Sequence, residues 1–276
     1  MPQFRTQDII GEALGTFLLV FFGCSSVAVT ILFQAHAGLM QVAMIWGLAV
    51  TLAIYSTRHL CCAHLNPAVS IAMVAAKRMH WSKLPAYFVG QFGGALLAAL
   101  VLYLLFGPAI AQFEAAHGIV RGTPESVKTA MIFGEFFPNP GVESWVKVST
   151  STAFFAEALG TFLLVLLIFS LTETCNVGRP DDSLTPLFIG GAVTAIIAII
   201  APLTQAGLNP ARDFAPRMVA YFAGWAGAAL PEPSYSFLTV YVLAPVVGAL
   251  CSSFVFTMVI FPLLKGKEDA DQAGCC

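Results

Sequence analysis

Charge is what this chain has least of. Only 13 of its 276 residues are Lys or Arg and 15 are Asp or Glu, 10% in all, where a soluble domain carries about a quarter. That scarcity excludes an ordinary water-facing surface. The formal net charge is −2, so nothing points to nucleic acid as a partner. A nucleophile–base pair, a metal-ligand cluster and a phosphate-binding glycine loop are also missing, which argues against a membrane enzyme; no cofactor or metal is expected. The seven cysteines are an odd number. Cys24 and Cys251 fall inside apolar runs and Cys61 and Cys62 follow one, so buried, inert thiols are expected rather than a disulfide framework. The C-terminal Cys275-Cys276 leaves lipidation open beside a plain polar tail. The first apolar run, Ile9 to Phe33, is too long for a signal peptide, no small-residue cleavage site closes it, and FFGC at 21–24 is a poor lipoprotein signal.

What the chain does have is apolar length. It is 58% hydrophobic with a mean hydropathy of +0.83. Six segments, roughly 8–33, 40–59, 84–107, 150–172, 185–204 and 238–263, are long enough for a hydrocarbon core about 30 Å thick. Two more, about 66–78 and 209–221, cover only about 18 Å, half a membrane. A polar connection, 108–149, separates spans three and four. With the N-terminus inside, the cytoplasmic side receives Arg5, Arg58, Lys77, Arg78, Lys83, Arg179, Lys265 and Lys267, against Arg121, Lys128 and Lys147 outside. This bias predicts both termini in the cytoplasm.

The chain repeats itself. EALGTFLLV stands at 12–20 and again at 157–165, LNPA at 65–68 and 208–211, and GALL at 94–97 is echoed by GALC at 248–251. Each half reads span, span, short segment, span. Three spans per half is odd, so the second copy enters the membrane from the opposite side. Inverted repeats of this kind put the functional site at the midplane, where the halves meet. The predicted organisation is one membrane domain over 1–265, built from repeats at about 8–107 and 150–263 joined by the outer loop 108–149, with a polar cytoplasmic tail at 266–276.

A helix that begins in mid-membrane exposes its first N–H groups where no water is guaranteed. Both short segments begin Asn-Pro-Ala: Asn66, Pro67 and Ala68, then Asn209, Pro210 and Ala211. Asn is a strong N-cap and Pro suits the first helical position. Each Asn oxygen is expected to bond to backbone, leaving its NH₂ free to donate. Two positive helix ends then point at one spot, which favours a neutral hydrogen-bond acceptor and opposes protons and cations.

The paired motifs AHLNPAV and GLNPARDFAP make the chain resemble the major intrinsic protein family, the aquaporins and glycerol facilitators, over about residues 8–265. The resemblance implies an all-α membrane fold: six tilted helices plus two re-entrant half-helices in a right-handed bundle, one pore per subunit and four subunits per assembly. It places Arg212 in a narrow outer filter with Trp46, Ile197 and Ala206. Arg212 is expected to face the bundle interior or water, donating to a hydroxyl-bearing solute and repelling cations; an ion pair with Asp213 or another acid is the alternative. A wide apolar wall with one strong donor suits a small polyol such as glycerol better than water alone. The acid–base pair Asp213 and Arg217, at i, i+4, marks the glycerol branch by resemblance.

The same resemblance assigns a ladder of backbone carbonyls to Cys62, Ala63 and His64 in one half and Gln205, Ala206 and Gly207 in the other. The His64 side chain is expected either to line the pore or to make a structural hydrogen bond. Glu12 and Glu157, acids inside spans one and four, are expected to brace the unwound loops; a proton relay is the alternative, and would suit a coupled transporter. Some positions depart from the glycerol branch. Ala206 stands where an aromatic is usual, leaving urea, longer polyols and neutral metalloid acids open. Tyr241-Val242 resembles water channels, and Cys61-Cys62 replaces a usual small pair. The expected function is a passive channel for glycerol, similar small neutral solutes and water, in a plasma membrane of the bacterial inner-membrane type.

Overall fold

The structure, a computed structural model, describes residues 6–142 and 145–266. Arg5, Lys267, nearly all of the polar tail and Cys275-Cys276 lie outside the described residues. Among the described residues the chain is helical, with turns and no strand. Six helices among the described residues are long and apolar enough to cross a membrane. The first half comprises α1 (Thr6–Phe33), α2 (Leu39–Thr57), the short α3 (Pro67–Ala75) and α4 (Leu84–Ala116). The second comprises α5 (Thr150–Thr172), α6 (Thr185–Thr204), the short α7 (Pro210–Ala220) and α8 (Ser236–Gly266). At 1.5 Å per residue, α3 and α7 are about 14 and 17 Å long, half a membrane each.

Packing follows the repeat. Within each half the first helix packs on the last, α1 on α4 and α5 on α8. Each short helix leans on the long helix that ends the other half: α3 on α8, and α7 on α4. The two second helices, α2 and α6, pack on each other. This exchange ties the halves into one bundle. The GALL and GALC landmarks have a physical reason. A Cβ at Gly94 would run into the Ala13 carbonyl of α1, and one at Gly248 into the Ala158 carbonyl of α5. In a bilayer, where exclusion from water cannot press helices together, such close backbone approach is what dispersion forces need.

Large side chains on the outer faces, among them Ile10, Leu14, Met44, Leu48, Leu104, Leu105, Phe188, Ile199 and Phe254, are exposed. In water such a belt would aggregate; it fits hydrocarbon. The charged residues of the interior sit in pairs or hydrogen-bonded clusters, described below.

One boundary differs from the sequence expectation. The third span was expected to end near 107, before Pro108, but α4 continues through that proline to Ala116. A proline removes one helical hydrogen bond, and packing outweighs that loss. Ile110 is fully buried, and Glu114 pairs with Arg121 at 2.7 Å and accepts from Thr129 Oγ1 at 2.7 Å. The connection to α5 therefore begins at about 117 and folds back onto the bundle.

The helix crossings generate a test. Gly248→Val should clash with the α5 backbone and cost about 1–3 kcal/mol or more. Gly93→Val, in open space, should be near neutral. Thermal unfolding of the detergent-solubilised protein separates the two; equal losses would refute the close-approach account.

Candidate functional site

The two Asn-Pro-Ala segments meet where the short helices begin. Asn66 caps α3: its Oδ1 accepts from Ala68 N at 2.9 Å. Asn209 caps α7, its Oδ1 accepting from Ala211 N at 3.1 Å and Arg212 N at 3.3 Å. Pro67 and Pro210 occupy the first helical position of each, and Ala68 and Ala211 are fully buried behind them. The sequence reading expected the side-chain amides to be free, and the structure shows that they are so only in part. Asn66 Nδ2 donates to Leu208 O at 2.9 Å, and Asn209 Nδ2 donates to Leu65 O at 2.7 Å. Each cap thus cross-links to the other half's loop. An amide nitrogen carries two hydrogens, so one on each Asn remains for the lumen.

The loops feeding these caps are strained in the same way. Ala63 and Leu65 have φ of 50° and 56°; their counterparts Ala206 and Leu208 have 61° and 55°. Left-handed backbone at such residues costs of order 1–3 kcal/mol each and persists only where the surroundings impose it. Two buried acids do so. Glu12 accepts from His64 N at 2.8 Å, Leu65 N at 2.7 Å and Gln91 Nε2 at 2.8 Å. Glu157 accepts from Gly207 N at 2.9 Å, Leu208 N at 2.7 Å and Thr204 Oγ1 at 2.6 Å. His64 is in the wall of a cavity, and its side chain makes the structural contact: its Nδ1 lies 3.1 Å from Ser70 Oγ with its ring against Tyr87. Gln91, Thr204 and Tyr87 were missed in the sequence because nothing local marks a helix residue that reaches a loop of distant sequence.

Two cavities run inward from opposite faces. One, of about 300 Å³, opens on the side of the chain termini and contains Cys62, Ala63, His64, Asn66, Ala206, Gly207 and Asn209 in its walls. The other, of about 330 Å³, opens on the side of the 117–149 loop; Gln205, Glu135 and Asn139 are in its walls. Trp46, Ile197 and Arg212 line both, so the cavities meet at these three buried side chains. The Arg212 guanidinium lies 4.2 Å from the centre of a Trp46 ring, a cation–π stack. Trp46 in turn presses on Gly23, where a Cβ would overlap the indole.

Arg212 does not pair with Asp213. Its Nη2 is ion-paired with Glu135, from the loop before α5, and both side chains are buried. Asp213 and Arg217, both fully buried, pair with each other: Nη2 to Oδ1 at 2.6 Å and Nε to Oδ2 at 3.0 Å. They also grip the backbone of Glu135, whose N–H donates to Asp213 Oδ1 at 2.8 Å and whose carbonyl accepts from Arg217 Nη2 at 2.5 Å. Sequence reasoning missed Glu135, although a lone acid within MIFGEFF is a faint signal of a buried role. Tyr241, the residue that resembles water channels, is fully buried behind the loop, its hydroxyl donating to Thr204 O at 3.1 Å. It is not among the residues that line either cavity.

Removing one brace tests this construction. Glu157→Leu leaves the N–H groups of Gly207 and Leu208 buried without an acceptor, at about 1–3 kcal/mol each. A drop of several degrees in the detergent-phase melting temperature is expected, while Glu157→Gln should lose less. An unchanged melting temperature for Glu157→Leu would contradict the bracing role.

Comparison with known proteins agrees with this architecture. The major intrinsic protein family profile matches residues 2–256. A glycerol uptake facilitator protein of Haemophilus influenzae is 39% identical over 261 residues, spanning 94% of this chain and 96% of that one. A propanediol uptake facilitator of Citrobacter freundii is 36% identical over 252 residues, 91% of each. Among solved structures, the aquaglyceroporin from Plasmodium falciparum superposes with a TM-score of 0.81 at 26% identity, covering 95% of this chain and 99% of its own. With the profile spanning nearly all of the chain and the capped, inverted half-helices at its centre, this multi-pass membrane protein belongs to the major intrinsic protein family.

Proposed function

We propose that the chain is a passive channel through which glycerol and similar small neutral solutes, together with water, cross the bilayer while protons and ions are held back. The observation that carries this reading is the meeting of the two cavities at Trp46, Ile197 and Arg212. There an apolar wall faces a guanidinium, and Ala206 adds little bulk. A three-carbon polyol slides its CH edge along Trp46 and Ile197 and gives its hydroxyl oxygens to donors from Arg212, Asn209 and Asn66. Acceptors come from carbonyls of Cys62, Ala63, His64, Gln205, Ala206 and Gly207. Relatives described as glycerol and propanediol uptake facilitators support this solute class.

Ion exclusion rests chiefly on the midplane. The charge of Arg212 is offset by Glu135, so the filter is close to neutral. The two helix N-termini at Asn66 and Asn209 point their positive ends at the same place, where a cation or hydronium is opposed by both.

A coupled transporter is disfavoured by the engagement of Glu12 and Glu157 with loop N–H groups, which ties them to structure rather than to a proton path. A strict water channel is disfavoured by the position of Tyr241 behind the loop. We infer that four copies assemble, each enclosing its own pathway, as the family resemblance implies, and that lipid surrounds the outer belt. Arg58, Lys77, Arg78, Lys83, Arg179 and Lys265 lie toward the side of the termini, which supports both termini in the cytoplasm of a bacterial inner membrane.

Stopped-flow light scattering on proteoliposomes tests the reading. Vesicles shrunk in a glycerol gradient should reswell at least about tenfold faster than protein-free vesicles, a barrier change of about 1.4 kcal/mol. Fast water flow without glycerol entry would overturn the solute assignment. Cys62 is exposed and lines the cavity on the side of the termini, while Cys61 is buried against Gly11. A mercurial should therefore slow reswelling in the natural chain and not in Cys62→Ser; inhibition surviving that substitution would place the reactive thiol elsewhere.

A further inference from the structure

We propose that Glu135 is a specificity-determining residue of the filter, presenting a carboxylate acceptor beside the Arg212 donor so that the pair reads two neighbouring hydroxyls of a polyol. The proposal rests on the channel reading above and deepens it.

The ion pair occupies half of each group. Arg212 Nη2 and Glu135 Oε1 hold each other. Arg212 Nη1 and Glu135 Oε2 are buried, and neither has a hydrogen-bond partner among the described residues. A buried polar atom without a partner is costly, and here two of opposite kind stand on one ion pair. Both residues line the cavity on the loop side, and Arg212 lines the opposite one as well. The ion pair that carries the unused donor and acceptor thus stands where the two cavities meet. A vicinal diol satisfies both: one hydroxyl oxygen accepts from Nη1, and the next hydroxyl donates to Oε2. The carbon edge is left for the Trp46 face.

The position of Glu135 is built, not incidental. Its N–H and C=O are held by Asp213 and Arg217. The next residue, Phe136, donates from its N–H to Gln205 Oε1 at 2.9 Å, and Asn139 Nδ2 donates to Ala201 O at 2.8 Å. The acid–base pair on α7 therefore has a task beyond its own ion pair: it fixes the strand of loop that delivers Glu135. The same arrangement accounts for a polyol filter without an aromatic at Ala206. Recognition shifts from apolar enclosure to paired donor and acceptor.

The readout is the ratio of glycerol to water permeability in proteoliposomes, which does not depend on how much protein inserts. Glu135→Gln keeps the side-chain volume and an oxygen for Arg212 but puts an N–H₂ donor where the free acceptor stood. It should lower the ratio about tenfold, the rate equivalent of one lost hydrogen bond to a charged group. Glu135→Ser, too short to reach Arg212, should lower it as well. A ratio unchanged in both variants, with the natural chain conducting glycerol, would overturn the role of Glu135 and leave the channel reading intact. Failure of the natural chain to conduct glycerol would instead overturn the channel reading. Loss of inserted protein in both variants would mark Glu135 as purely structural and would also overturn the proposal.

Discussion

Two helices begin in the middle of this molecule, far from either surface, and their first N–H groups must find partners there. The rest of the structure depends on how that demand is met. Asn66 and Asn209 supply the caps, and each spends one amide hydrogen on the other half's loop. The loops run in left-handed backbone to bring those carbonyls into place. Glu12 and Glu157 then accept the N–H groups that the unwinding exposes. Capping, strain and bracing form one closed set of hydrogen bonds, repeated by the inverted symmetry. Its by-product is a polar line through an apolar bundle.

Glu12, Glu157, Glu135, Arg212, Asp213 and Arg217 are buried along that line and at its outer lip. Buried ion pairs are seldom strong stabilisers, because desolvation offsets much of the attraction. Here they do positional work. The Asp213–Arg217 pair holds a loop strand, and the Glu135–Arg212 pair sets how a guanidinium faces the lumen. On the proposed reading, the pairing of Arg212 with Glu135 leaves the repulsion of cations chiefly to the helix ends at the midplane. On that reading, specificity and ion exclusion fall to neighbouring residues, Arg212 standing three positions from the Asn209 cap.

Much of this was legible in the sequence. The duplicated EALGTFLLV, LNPA and GAL landmarks imply inverted halves, because an odd number of spans per half leaves no other topology. The Asn-Pro-Ala caps are local signals, read from residue chemistry alone. What escaped reading depends on contacts between distant segments. The passage of α4 through Pro108 depends on Arg121 and Thr129 holding Glu114. The partner of Arg212 is not its neighbour Asp213 but Glu135, in a loop whose path periodicity does not encode. The bonds from Asn66 and Asn209 to opposite carbonyls exist only once the halves have met. Tyr241 resembles one branch of the family in sequence, yet its burial behind Thr204 separates it from the lumen.

The central claim is that the midplane admits neutral hydroxyl-bearing solutes because its two helix ends donate hydrogen bonds, and for the same reason refuses protons. Proteoliposomes loaded with a pH-sensitive dye, exposed at once to a glycerol gradient and a pH gradient, test both halves together. The account predicts rapid protein-dependent glycerol entry while internal pH follows the trace of protein-free vesicles. Proton entry that rises with protein content, or glycerol accumulating against its gradient when pH differs across the membrane, would contradict it.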